Sequence, residues 1–467
     1  MTIRRTLFAT LCICAGAAPL ARAQEGEAPS MHPLLRTVDQ IQRQTPSLRG
    51  LALLEHVPAD VMDRGQLEGL IMKMLREEYP PEQIELTEKA YKALGLIGPE
   101  VDIIKAYSAF ATSQVAAFYE PKTKRIYVLD DLPEAVAGMI PGLDEALAEA
   151  VVEPMITNTL AHEFTHALQD QHFDLSRMLD AVMHDDDMAL AVHALIEGDA
   201  MIAGTAVMLG SAQQATAMST EGAALSGAGA AIAPGLGEAP AIFRDTLIFP
   251  YIHGWVFALS LANDGGFAAV DAAFADPPIS TEQVLHPEKY AERDVPQRVT
   301  LPDLSGIVEA RLVGANVMGE LQTRILLGNS PDAHLGAEGW DGDACAVYEA
   351  PGEAPLTDRL RFVWVSVWDS EQDAAEFGAE YASALRLRAA ARTGAYPTIE
   401  RQNADGVRTW QMTTQPGVAL VEQTGDRVIA VEGFDAGQAT AVLEALRAAT
   451  TAPKQLELPP ADPAETP

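Results

Sequence analysis

The string His162-Glu163-Phe164-Thr165-His166 constrains this chain more than any other segment, because two imidazoles four residues apart can reach one target only from the same face of a helix. Such a pair is preformed to hold one zinc ion, and the glutamate between the histidines can act as a general base. On a helical wheel at about 100° per residue, Thr159, His162, Glu163, His166 and Asp170 share one arc. Ile156, Leu160, Phe164, Ala167 and Leu168 fill the adjoining arc. Pro154 suits a first helical turn, where its missing amide has no partner to lose, so the helix is predicted over Met155–His172. The competing reading is an ordinary amphipathic helix whose polar stripe contains two histidines.

A catalytic zinc takes three protein ligands and keeps a fourth position open, so a third ligand is expected downstream. Asp170 lies on the motif helix itself, and Asp185, Asp186 and Asp187 read as the cap and first turn of the next helix. Glu197 stands in Ala194-Leu195-Ile196-Glu197-Gly198-Asp199-Ala200-Met201-Ile202, where a carboxylate among apolar residues needs a metal, a proton or a strong partner. Its separation from His166 allows a turn and a returning helix. Glu197 is therefore the predicted third ligand, against the alternative of a carboxylate on a narrow solvent face. Asp199 is the substitute ligand, or an acceptor that orients a histidine ring. His193 is expected to be a hydrogen-bonded helix histidine.

These residues resemble the zincin metallopeptidases, and among them the gluzincins, whose two motif histidines and later helical glutamate bind one zinc. His162 through Asp170 is similar to the active-site helix of thermolysin-like enzymes, including the aspartate one turn past the second histidine. The downstream segment departs from that pattern: Glu197-Gly198-Asp199 stands where those enzymes carry Glu-x-x-x-Asp. The chain also resembles a group of bacterial exported HExxH proteins with a Glu-Gly segment after the motif and a His-Pro-Glu-Lys-Tyr segment beyond it, here His286 to Tyr290. The resemblance spans roughly residues 110–290 and implies a zinc peptidase class without a substrate.

Residues 1–23 read as a signal peptide: Arg4 and Arg5, an apolar stretch from Leu7 to Leu20, and Ala21-Arg22-Ala23 as a cleavage site. The expected location is therefore outside the cytoplasm, periplasmic or secreted. Beyond that segment only Cys345 remains, so no intramolecular disulfide is expected. The segment carries three arginines and no acid, which leaves a net charge of −37 on the remainder, with histidines neutral. That charge opposes nucleic acid as a partner.

The organisation expected is α+β: a mainly helical zincin-like metallopeptidase domain over 24–304, a small α+β (ferredoxin-like) domain over 305–450, and a disordered tail over 451–467. Residues 31–108 show helical periodicity, and Gln114–Tyr119 with Arg125–Leu129 reads as a hairpin; the zincin resemblance implies that Tyr119 or Tyr127 borders the cleft, and structural packing is the alternative. The glycine-rich stretch from Gly227 to Gly237 reads as a loop, and Thr246–Asn263 as a buried helix rather than a membrane span, so stable membrane insertion is not expected. In the last domain, Arg361–Trp368, Ser370–Leu387, the hairpin Val418–Gln423 and Arg427–Gly433, and Ala436–Ala448 give a β-α-β-β-α order.

Hydrolysis also requires a donor for developing negative charge, and Tyr251, His253 and His286 are the candidates, with His286 preferred for its fixed position before Pro287. The predicted site is thus His162, His166 and Glu197 around Zn²⁺, with Glu163 and His286 as catalytic groups acting on a peptide or protein. The rival prediction is a catalytically inert zinc-containing binding or scaffold protein of the cell envelope. A zinc hydrolase acting on a non-peptide amide or ester is a third. The sequence leaves oligomeric state open.

Overall fold

The computed structural model describes residues 32–78, 81–134, 145–223, 239–328 and 333–458. The predicted signal peptide and the stretch from Gly227 to Gly237 lie outside the described residues.

The expected helical N-terminal lobe is present as α1 (Pro33–Arg49), α2 (Arg64–Glu78), α3 (Pro81–Ala93) and α4 (Ile103–Gln114). Gly50, at φ +85°, ends α1 in the left-handed conformation that glycine adopts at no steric cost. One element beside this lobe was not anticipated. β1 (Ala59–Met62) pairs in parallel with β3 (Arg125–Leu129), which pairs antiparallel with β2 (Ala117–Glu120), in the order β1-β3-β2. Four residues are too few to show a strand period. The hairpin also starts later than predicted, because α4 runs on to Gln114.

The motif helix α5 (Glu145–Phe173) begins well before Met155, so Pro154 lies inside it rather than in its first turn. A proline there removes one helical hydrogen bond, and the helix continues because the stretch beyond it is buried from Thr159 to Gln169. After α6 (Leu175–Val182) comes α7 (Asp186–Leu209), capped by Asp185, whose carboxylate accepts from the Met188 amide at 2.9 Å as predicted. A short α8 (Ala212–Thr216) precedes α9 (Ala241–Ala275), which is uncharged over its middle and kinks at Gly266, φ +62°. Then follow α10 (Thr281–Leu285) and α11 (Pro287–Glu292).

Leu160, Phe164, Ala167 and Leu168, the predicted apolar arc of α5, pack against Val38 and Ile41 of α1 and against Tyr119, Ile126 and Val128 of the small sheet. On the other side, α7 packs against α9 through Leu195, Ile202, Phe257 and Leu259. The polar arc of α5 is therefore trapped between two apolar layers. Of the described helices, α7 is the one long and apolar enough to cross a membrane; it sits in the interior of the fold and carries Glu197 and Asp199.

The C-terminal domain is α+β but larger than the predicted ferredoxin-like unit. Its elements are β4 (Gln297–Thr300), β5 (Arg311–Asn316), α12 (Gly319–Leu327), β6 (Trp340–Glu349), α13 (Leu356–Arg359), β7 (Leu360–Trp368), α14 (Glu371–Thr393), β8 (Glu400–Ala404), β9 (Val407–Thr413), β10 (Val418–Thr424), β11 (Arg427–Phe434), α15 (Ala436–Leu446) and β12 (Thr450–Pro453). Seven strands form one antiparallel sheet in the order β5-β6-β7-β11-β10-β9-β8. Along β7, Phe362 and Trp364 point to a core shared with Phe377 and Tyr381 of α14, while Val363 and Val365 point to one shared with Val442 and Leu446 of α15. That alternation is the period of a strand buried on both faces.

The predicted disordered tail is ordered at its start. β12 pairs with β4, Lys454 is buried between Asp185 (3.0 Å) and Asp187 (2.9 Å), and Leu456 and Leu458 pack on the α7–α9 core. The cause is electrostatic as well as apolar. Three aspartates at the start of α7 require a cation, and residue 454 supplies it.

Candidate metal centre

Helix α5 delivers His162 and His166 from adjacent turns, their ring centroids 4.7 Å apart, and α7 delivers Glu197 opposite them. The donor atoms of the three side chains lie within 4.8 Å of one another. Glu197 Oε2 stands 3.0 Å from His162 Nε2 and 3.7 Å from His166 Nε2. A tetrahedral zinc with bonds of about 2.0–2.1 Å separates two donors by roughly 3.4 Å, so these spacings bracket what the ion needs. His166 Nε2 is buried with no hydrogen-bond partner among the described residues, an arrangement that costs energy unless something else accepts the lone pair. The set of two imidazoles and one carboxylate thus fits a zinc ion.

Burial sets the protonation of these groups. Desolvation pushes His162 and His166 down to about 3, so both rings are neutral and offer lone pairs. It pushes Glu197 up to about 7, against the pull of His166 and of a hydrogen bond from Tyr251. Glu197 is 3 % exposed, which removes the alternative of a solvent-face carboxylate.

Glu163, also fully buried, points to the small sheet, where its Oε2 accepts from the Tyr119 amide of β2 at 3.0 Å. Strand β2 is an edge of that sheet, and this amide faces the motif helix instead of β3. The Tyr119 side chain packs in the core and donates its hydroxyl to Asp170 at 2.9 Å. Burial raises the Asp170 carboxyl to about 6 even so.

The Gly198 next to Glu197 has a steric purpose. A Cβ there would stand 2.0 Å from the Gly254 carbonyl oxygen of α9, and one on Gly254 would stand 2.2 Å from the Ala194 oxygen of α7. The two helices therefore touch backbone to backbone at this point. That approach brings Tyr251, one turn before Gly254, to Glu197 and sets its ring 6.0 Å from that of His162.

Of the three predicted donors, Tyr251 is the one that touches the triad. His286 is engaged elsewhere: its Nε2 pairs with Glu320 of α12 at 3.1 Å and its Nδ1 lies 3.8 Å from Glu288. Of the rest of that segment, Lys289 reaches the C-terminal domain and Tyr290 does not. Lys289 binds Glu282 (2.6 Å) and Asp369 (2.5 Å), and the Tyr290 hydroxyl donates to the Asp276 carbonyl. His253 stacks on Phe249, with Arg324 and His286 close enough to help burial lower its pKa to about 4. His193 donates from its Nδ1 to the Ala189 carbonyl at 2.7 Å, as predicted for a hydrogen-bonded helix histidine.

Asp199, the predicted substitute ligand or orienting acceptor, stands outside the donor set. It forms a fully buried ion pair with Arg49 at 2.6 Å and accepts from Gln169, whose amide also contacts His166. Burial works against the Arg49 charge, and Asp199 and Asp271 outweigh it, so the guanidinium stays protonated. Sequence reasoning missed Gln169 and Arg49. Gln169 had a signal, its position one turn beyond His166, whereas Arg49 lies far upstream and had none.

Residues 309–443, from β5 into α15, match a family described as Domain of unknown function (DUF8575). There is no match among curated proteins and none among solved structures. The matched span covers most of the C-terminal sheet domain and leaves the helices that carry the triad outside it.

Proposed function

We propose that this protein is an exported zinc-dependent hydrolase that cleaves amide bonds in peptides or proteins. The observation that carries the reading is a buried donor set of His162, His166 and Glu197 with a further buried carboxylate, Glu163, on the same helix as the histidines and outside the set. A site meant only to hold metal has no use for a fixed base. A zinc ion bound there would supply Lewis acidity and make water a stronger nucleophile at neutral pH. Glu163 takes the proton from the attacking water and returns it to the leaving amine, so the C–N bond breaks as the amine is protonated. The Tyr119 amide keeps one Glu163 oxygen engaged and so fixes the direction of the other. Tyr251 offers its hydroxyl to the negative charge that develops on the carbonyl oxygen.

The test is Glu163→Gln. The variant should bind zinc with unchanged affinity and lose at least about a hundredfold in cleavage of an unfolded protein substrate. Full turnover in the variant, or cleavage by wild type that survives a chelator, would refute the proposal. The rival reading, a zinc-stabilised scaffold without catalysis, draws on one observation: His162, Glu163, His166 and Glu197 are all 3 % exposed or less. Bound zinc that raises thermal stability, together with no cleavage of a broad peptide library, would favour it.

A further inference from the structure

We infer that Arg49, at the end of the first helix, is a positioning residue for His166, acting through Asp199 and Gln169. The inference rests on the zinc reading of the triad and adds to it the elements that set the histidine's orientation. The argument follows donors and acceptors. Gln169 Nε2 lies 2.7 Å from Asp199 Oδ2 and 2.9 Å from the Ile196 carbonyl, two acceptors that together require the amide NH₂ on that side. The carbonyl end of Gln169 therefore faces His166 Nδ1, at 2.7 Å. An acceptor at that distance requires a hydrogen on Nδ1, which leaves the lone pair on Nε2, the atom turned toward Glu197. A reversed amide would place the hydrogen on Nε2 and block the ligand.

The orientation of Gln169 thus depends on Asp199, and Asp199 is itself held. Its Oδ1 meets Arg49 Nε at 2.6 Å with both side chains fully buried. Arg49 is fixed in turn by Asp271 at 2.6 Å and by the Phe267 ring, 4.5 Å from its guanidinium carbon. Remove the guanidinium and, among the described residues, Asp199 keeps only Gln169 as a hydrogen-bond partner and is free to rotate away from it. Helix α1 is on this account part of the metal centre and not a removable leading segment.

The experiment compares full-length wild type with Arg49→Met, Arg49→Lys and the shape-conserving Asp199→Asn. Two quantities are read: the affinity for Zn²⁺ by chelator competition, and the tautomer of His166 in metal-free protein by ¹⁵N NMR of the imidazoles. Wild type should show hydrogen on His166 Nδ1 alone. Arg49→Met and Asp199→Asn should bind zinc about 10–100-fold more weakly and show a mixed tautomer, with Arg49→Lys between them and wild type. Asp199→Asn keeps the test available if Arg49→Met does not fold. A folded Arg49→Met or Asp199→Asn with wild-type affinity and a single Nδ1–H tautomer overturns the inference. If wild type binds no zinc, the reading of the triad fails, while the tautomer comparison still decides whether the relay orients His166.

Discussion

Replacing Gly198 with alanine inserts one methyl group where two helices meet through their backbones. The new Cβ would stand 2.0 Å from the Gly254 oxygen, 2.4 Å from the Gly254 carbonyl carbon and 2.9 Å from the Ala258 Cβ. Carbon–oxygen contacts relax near their ordinary distance only if α9 retreats by about 1 Å or more. No flexible side-chain end can absorb that shift. Overpacking of this kind costs about 1–3 kcal/mol, with backbone contacts at the upper end. Alanine's better helix propensity returns about 1 kcal/mol, so a net loss of about 1–2 kcal/mol is expected. The control is Gly69→Ala on α2, where nothing lies within 4 Å and propensity alone should stabilise the protein. The site should respond as well. Tyr251 and Glu197 lie on either side of the contact, and a shift of that size breaks their hydrogen bond, lowering zinc affinity by roughly tenfold. Urea unfolding of metal-free protein and chelator competition measure the two effects. A Gly198→Ala variant as stable as wild type, with unchanged zinc affinity, would refute the claim that this glycine sets the spacing of α7 and α9.

Other perturbations test separate parts of the structure. Tyr251→Phe should reduce peptide turnover by about 10²–10³-fold while weakening zinc binding far less, a contrast visible in kcat set beside the metal Kd. Lys454→Met leaves Asp187 buried without its cation and should cost about 3–5 kcal/mol in urea unfolding; a loss below 1 kcal/mol would mean that the aspartates find another partner. The Glu320 carboxylate holds His286 above its ordinary pKa, so the folded form binds that proton more tightly than the unfolded chain does. That contribution is complete below the unfolded value and fades as pH rises through the folded one. The stability gap between wild type and His286→Gln should therefore narrow from pH 6 to pH 8.5; a constant gap would show that the pair is not ionised.

What could be read in advance follows from how local each signal is. The motif helix and Glu197 announced themselves because charged or polar groups stood at fixed intervals among apolar residues. The hairpin of β10 and β11 was marked by Thr424-Gly425-Asp426 and found within a residue. Strand β8 was silent, since every residue from Glu400 to Ala404 is exposed and no apolar alternation exists to detect. His286 looked catalytic because its local context is distinctive, but its meaning comes from Glu320, a partner 34 residues away. Arg49 is the extreme case. Its role exists only once α1, α7 and α9 are assembled around it.

The lysine at 454 also bears on the order in which the parts of the fold come together. Residue 454 lies far downstream of the motif helix and Glu197, so any α7 that forms before the last strand docks does so with Asp185 and Asp187 lacking this cation. Until that cation arrives, burying Asp187 carries the cost of an unpaired charge. When β12 adds to β4 and Lys454 enters, the end of the C-terminal domain locks the start of that helix. A chain stopped before this residue could contain His162, His166 and Glu197 and still lack the cation that neutralises the start of α7.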